Sequence, residues 1–527
     1  MATFYTSKKL SFNNAEQFKE SFYEPEPATV GYVFIGNHVP YANESSPNSI
    51  VDSSFDEKSV WDNMYAAKRI TGNDVELVVP RVNWTTGKRY KQFDDKISID
   101  TLLTADSGAG GNSQPMYILT SARNVYKCLS NNANSISTVE PTGDYSTANG
   151  TIFTADGFIW KYMYNVKPSN RFLTTDWIPA PISIAKLDYN VSSTNLIDGE
   201  LTTIIVTGGG KGYAEPSITA TAFVSGVTTI ALANTTNVVA NMAVTGTGIA
   251  SGTTVTTVNP NTSSIIISTA TTANGGGTTA NNLTFKTRVY IDGDGTGAIA
   301  SANITNSAIS KITIDVSGTG YSYANATIYG SGTSGATPGA NTANARVIIT
   351  PKFGHGFNPA KELDATNVMV VERIGSVDAT ENGLISTSTS FRQYGLLRDP
   401  YKYGNTSPVI SSNANTVISQ TTNITLIAGT NFELNEFVYQ GASSNSAYFY
   451  GFVNAQSANE VRLTKVKGTV SVGGTLIGAN SGINRTVVKL TNPEFQPYTG
   501  DILYAENIQK VTRADGQAEN VKFVIRF

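Results

Sequence analysis

The sequence predicts a mainly β protein: a multi-layer β-sandwich core with a few loop-borne helices, carrying inserted small β-sandwich or barrel modules. Three observations lead there. Charged residues make up 15% of the chain, well below the ~25% of average domains, whereas Gly, Thr, Ser and Asn are abundant. Short β-branched and aromatic runs alternate with glycine clusters throughout. The texture also changes twice, near residue 196 to a stretch where charges almost vanish and near 409 to a second low-charge stretch, and reverts each time. At 527 residues the chain is too long for one ordinary core.

The first strand is Val30-Gly-Tyr-Val-Phe-Ile, with Tyr32 and Phe34 on one face. The stretch Ser53 to Asp95 then holds the clearest helix. Ser54 followed three residues later by Glu57 is a capping-box pattern. Val60, Trp61, Met64, Tyr65 and Ala67 recur at helical spacing, Lys68 and Arg69 suit the negative end of the helix dipole, and Gly72 stops the run. Val75, Leu77 and Val79 alternate as a strand does until Pro80 removes a ladder donor. After Lys96 to Leu103 a glycine-rich loop spans Ser107 to Ser113, and a segment with Tyr117, Leu119, Val125 and Tyr126 follows. Phe158, Trp160, Tyr162, Tyr164 and Val166 sit at alternate positions, so all five are expected on one strand face. Core packing is favoured over a ligand platform for such a row.

Between Leu196 and Thr350, Ile204 to Tyr213 is echoed by Ile312 to Tyr321, each an alternating strand followed by a Gly-x-Gly-Tyr turn. A further β unit, Val227 to Phe285, is nested between the copies. From Phe353 the ordinary composition returns, with a helical turn near Pro359 to Leu363 and a strand through Val368 to Val371. The Phe391-Arg-Gln string follows. The second excursion, Val409 to Leu490, holds five or more short strands and predicts a small barrel or sandwich. Finally Val521, Phe523, Ile525 and Phe527 alternate against Lys522 and Arg526, so the last strand faces a core. The expected organisation is core at 1–195, 353–408 and 491–527, an inserted module at 196–352 with its nested unit at 227–285, and a second module at 409–490.

Several strings carry a resemblance. Trp61 in a helix, then VVPRVNW (Val78 to Trp84) with Gly87, Arg89 and Tyr90, the DGFIWKYMYNVKPS string from Asp156, Phe391-Arg-Gln, and Gly500-Asp-Ile-Leu-Tyr-Ala-Glu-Asn before the terminal strand occur in this order. The order resembles the baseplate wedge subunit of contractile-tailed bacteriophages of the T-even kind, across 1–195, 353–408 and 491–527. The resemblance implies a three-layer β-sandwich, a homodimer within each wedge, other baseplate wedge proteins as partners, and a place in the virion tail baseplate. The two excursions depart from that family. They are expected to hang outward as appendages from one body formed by the other three segments, and to offer weak contact with a host surface or glycan.

Chemistry-bearing patterns are sparse. Histidine, best suited to proton transfer near neutral pH, occurs only as His38 and His355, and neither stands beside a nucleophile motif. Asp292-Gly-Asp-Gly-Thr-Gly297 starts like a calcium loop, but Asn303 stands where the closing Glu belongs, so a β-hairpin turn is favoured. Gly208-Gly-Gly-Lys-Gly-Tyr213 lacks the Ser/Thr and the helix of a phosphate loop. Asp94-Asp95 has no partner at glycosidase spacing. The single Cys128, flanked by Val125 and Leu129, reads as a buried small hydrophobe. No catalytic, cofactor-binding or metal-binding residue is expected, and no enzyme activity.

With 37 basic and 40 acidic residues and no long run of either sign, neither a nucleic-acid groove nor a polybasic membrane patch is expected. MATFYTSKKLSF lacks a signal peptide's apolar run, and no later run suits membrane insertion, so assembly in the host cytoplasm is expected. The leading expectation is a structural component that joins wedge subunits and rearranges its contacts as the tail contracts. The alternative is a receptor- or glycan-binding tail protein, an adhesin, for which trimer-forming heptads and collagen-like strings are missing.

Overall fold

The structure is a computed structural model. It describes residues 7–23, 29–106, 113–146, 150–182, 196–213, 215–240, 242–277, 282–328, 342–375, 389–406, 417–513 and 518–527. The glycine cluster at 107–112, the predicted junction at 195 and the predicted start of the second module at 409 lie outside them. The fold is mainly β, with several sheets, a closed barrel and short helices. The chain forms two compact units, 1–79 with 365–527, and 80–364.

The first unit is built on an antiparallel five-stranded sheet in the spatial order Val417–Ser419, Met64–Arg69, Gly31–Gly36, Phe391–Arg398, Asp501–Val511. Strands from three distant stretches of sequence are therefore neighbours. Val75–Pro80, Asn367–Gly375 and Ala518–Arg526 pair antiparallel in a second sheet. As expected, Val521 and Phe523 are buried while Lys522 and Arg526 are exposed.

The organising helix is shorter than its spacing predicts, running from Ser54 to Asn63. Its cap is Ser53, not Ser54, whose side chain accepts from the Asp56 N–H at 3.2 Å. Met64 is already extended, and Met64–Arg69 is a strand paired on both sides. Because its first four residues are all buried, the apolar positions there carry no period that separates strand from helix. Trp61 is buried with Val60, Tyr32, Phe34 and Phe495.

The second excursion forms a closed six-stranded barrel, in the order Thr422–Leu426, Glu460–Gly468, Ala447–Ser457, Phe437–Gly441, Thr475–Gly478, Asn484–Thr491. Val438, Phe449, Val453, Val461 and Leu476 fill its core. It begins later than composition suggests, since Val417–Ser419 belongs to the five-stranded sheet. The barrel clusters with the first unit rather than standing apart. His38 bonds to its Asn435 and Thr464, and the organising helix packs on its Glu460–Gly468 strand.

In the second unit, residues 80–182 share a body with the repeat-containing module, where composition had grouped them with the first segment. The reason is a core that ignores the shift in texture. Phe93, Leu102, Met116 and Leu129 pack with Ile348, and Arg346 makes a charge-assisted bond to Asp94 at 2.8 Å. Phe158, Trp160 and Tyr162 share one cluster with Tyr90, Tyr126 and Cys128. Tyr164 and Val166 are buried outside that cluster, past a register shift in the ladder to Asn124–Ser130.

The six-stranded sheet of this unit runs Leu201–Gly208, Asn344–Ile349, Ala324–Ile328, Arg288–Gly293, Thr296–Thr305, Ala308–Thr319. Its edges return to one another, the Ile309 N–H donating to the Gly209 carbonyl at 2.8 Å. The repeat is visible in the backbone: Gly210 and Gly212 take φ of +63° and +80°, Gly318 and Gly320 take +65° and +76°. Each left-handed pair delivers a tyrosine, Tyr213 or Tyr321, into the same core. The nested unit folds as two three-stranded sheets around Ile230, Val244, Val255, Ile265, Leu283 and Phe285.

Candidate functional site

Both histidines are buried within hydrogen-bonding networks. His38 Nδ1 lies 2.7 Å from Asn435 Oδ1 and Nε2 lies 2.6 Å from Thr464 Oγ1. An amide oxygen can only accept, so Nδ1 carries the proton and Nε2 accepts from the threonine hydroxyl. Burial lowers the ring's pKa to about 4, so it stays neutral.

His355 sits with Lys127, Glu362 and Phe93. Lys127 Nζ is 2.9 Å from Glu362 Oε2, 3.1 Å from His355 Nδ1 and 3.8 Å from the centre of the Phe93 ring. The ammonium must donate, which makes Nδ1 the acceptor and leaves Nε2–H for Thr202 Oγ1 at 3.0 Å. Burial, reinforced by the Lys127 charge, depresses the His355 pKa. Burial would raise the Glu362 carboxyl, but the Lys127 charge outweighs it and holds it down. The cluster is a buried ion pair whose third member completes the hydrogen bonding.

The other patterns weighed in the sequence have structural places. Asp292 to Gly297 is the expected hairpin, and Asp294 accepts from the Ser322 and Tyr323 N–H groups at 2.8 and 3.1 Å. Its pKa falls to about 2, chiefly through the Ser322 side-chain bond. Gly208 to Tyr213 is a strand end and turn, Asp94 binds Arg346, and Cys128 is buried with its thiol pKa pushed up by desolvation. Among the described residues no group of three or more His, Cys, Asp or Glu could hold a metal ion, and no helix is long and apolar enough to cross a membrane.

One feature that sequence reasoning missed is a polar pocket of about 280 Å³ in the first unit. Ten of its fourteen lining residues are polar, with Asp56 as the acid and Lys465 as the base. Asn37, Asn63 and Gln393 line it while being 5%, 7% and 2% exposed, and each keeps one side-chain oxygen without a hydrogen-bond partner. Lys465 sits where the barrel strand slips register against Phe452, in a left-handed conformation with φ of +52°. These residues come from four separate stretches. Asp56 and Asn63 fall in the Ser53 to Asp95 stretch, Gln393 in the Phe391-Arg-Gln run and Asn507 in the Gly500 string, all singled out in the sequence for other reasons.

Comparison with known proteins finds no matching family model and no curated protein of significant similarity.

Proposed function

We propose that the chain is a structural, non-catalytic component of a contractile phage tail, a baseplate wedge subunit that holds neighbouring subunits in register and exchanges contacts on contraction. The observation that carries this reading is the adjacency of the resembling strings. Phe391–Arg398 lies beside Asp501–Val511 in one sheet, and the terminal strand lies beside Asn367–Gly375 in another. The Trp61 helix, the Phe391-Arg-Gln run, the Gly500 string and the terminal strand thus meet in the first unit, while Arg81 to Tyr90 and the Asp156 string fold in the second.

The chemistry supports a role in assembly. Both ring nitrogens of each histidine are within hydrogen-bonding distance of protein atoms. Exposed apolar groups, Phe55 at the start of the organising helix and Leu503 and Tyr504 on the edge strand of the five-stranded sheet, supply surface for neighbours. The proposed partners are other wedge proteins and a second copy of this chain, within the virion tail baseplate. Sedimentation of the purified chain is expected to give a dimer, and a side-chain-resolution image of the intact particle is expected to place it in each wedge. A trimer at a fibre tip would sink this reading in favour of an adhesin.

A further inference from the structure

We propose that the terminal strand Ala518–Arg526 pairs edge to edge with the same strand of a second copy, joining the second sheets of two chains into one. This rests on the proposed function for there being a second copy, and names the surface through which it docks. The strand lies at the end of its sheet and pairs with Asn367–Gly375 over its 9 residues without a register shift. The Phe527 N–H donates to the Thr366 carbonyl at 3.0 Å, so by the alternation of an antiparallel ladder Val521, Phe523 and Ile525 bond inward. Asn520, Val524 and Arg526 turn their backbone groups to the far side, where no strand of the described residues lies.

A long regular strand with an open side invites another strand, and proteins usually blunt such edges with proline, bulges or covering loops. The other long edge of the unit, Asp501–Val511, is blunted. Its ladder shifts register twice, and the Asn507 and Gln509 side chains donate to the Asn48 and Ser45 carbonyls at 2.9 and 3.3 Å. Ala518–Arg526 has neither proline nor bulge.

Its exposed charges, Lys522 and Arg526, are the remaining guard, and they select one register. Only pairings centred on a residue set core face beside core face, because opposed residues share a face. Centring on Lys522 sets that lysine against its own copy, and centring on Val524 sets Lys522 against Arg526. Centring on Phe523 opposes no like charges: Lys522 faces Val524 and Asn520 faces Arg526, while on the core side Val521 faces Ile525 and Phe523 meets its own copy. The same register sets the outward backbone of Asn520 opposite that of Arg526, as a bonded pair requires. Buried Val521 and Phe523 carry the apolar layer across the two-fold axis. Tyr504, whose ring centre lies 5.7 Å from that of Phe523, adds its exposed surface and that of Leu503 at the rim.

The test is sedimentation velocity of the full chain over a concentration series, with amide exchange read residue by residue. A dimer is expected, with exchange at Val524 and Arg526 slowing as it fills. Val524→Pro removes a donor that the chain's own ladder does not use, so this variant is expected to keep its circular dichroism spectrum and to sediment as a monomer. Asn520→Lys sets like charges opposite each other at two symmetric places and is expected to weaken the dimer about fivefold, whereas Asn520→Glu is expected to tighten it about fivefold. Both change only an exposed side chain, so they decide the matter even where the proline lowers stability. A dimer that survives Val524→Pro, or that is indifferent to both Asn520 changes, overturns the pairing and leaves the second copy docked through another surface. A parent chain that stays monomeric throughout overturns the pairing together with the dimer expected of the proposed function.

Discussion

The two low-charge insertions look alike in sequence and behave differently in the fold. The nested unit enters and leaves through adjacent strands: Ser217 pairs with Thr284, and the Phe285 N–H bonds to the Pro216 carbonyl at 2.9 Å. Its core shares no buried residue with that of the six-stranded sheet. The barrel is closed on itself but also tied into its unit. His38 reaches Asn435 and Thr464, the Thr389 hydroxyl donates to the Asn454 carbonyl at 3.1 Å, and Lys467 meets Asp62. Low charge is common to both, whereas contacts across the border of each decide its independence.

The sharpest way to break this comparison is deletion. Removing 217–284 and joining the adjacent ends is expected to leave a folded protein with a cooperative melt. Removing 422–490 strips hydrogen-bond partners from His38 and a packing surface from the organising helix, so soluble folded protein is expected to be lost. This reverses the expectation from sequence that the second insertion is a dispensable appendage. Equal tolerance of both deletions, read by yield and circular dichroism, would erase the distinction.

Trp61→Ala comes next. The side chain is buried in the main core on the helix that also packs against the barrel, so a loss of about 3–5 kcal/mol is expected. A thermal melt unchanged by the substitution would remove the helix from that role.

The His38 link predicts a pH dependence. The folded pKa is about 4 against an unfolded value near 6.5, so the fold resists a proton that the unfolded chain accepts. The contribution is complete above about pH 6.5 and is lost as pH falls from there through about 4, amounting to about 3 kcal/mol. Denaturant melts of His38→Gln should show a shallower loss over that window than the parent. Identical slopes would mean that the barrel tie does not depend on the neutral ring.

The smallest effect concerns the repeat. The Tyr213 hydroxyl accepts from the Ala343 N–H at 2.8 Å and donates to the Ile328 carbonyl at 3.3 Å. Tyr213→Phe should cost about 1–3 kcal/mol by stranding that N–H, while amide exchange in the nested unit stays unchanged. Slowed or hastened exchange there would show that the nested unit is coupled to the repeat core after all.

Legibility followed the range of the forces involved. The terminal alternation from Val521 to Phe527 was readable because one face of that strand meets solvent and the other a core. The Gly-x-Gly-Tyr turns were readable because a left-handed backbone selects glycine locally. The helix overran into Met64–Arg69 because a strand enclosed on both faces shows no alternation. The pocket was invisible, since Asn37, Asn63, Gln393 and Lys465 are ordinary polar residues until folding brings them together.

By itself, then, the sequence determined the β class, the turns and the repeat, all properties of neighbouring residues and their periodicity. The tertiary structure alone decided that 80–182 joins the repeat-bearing unit, that the barrel belongs to the other, and which polar groups converge. Those outcomes depend on contacts between residues hundreds of positions apart, whose burial and pairing no local pattern encodes.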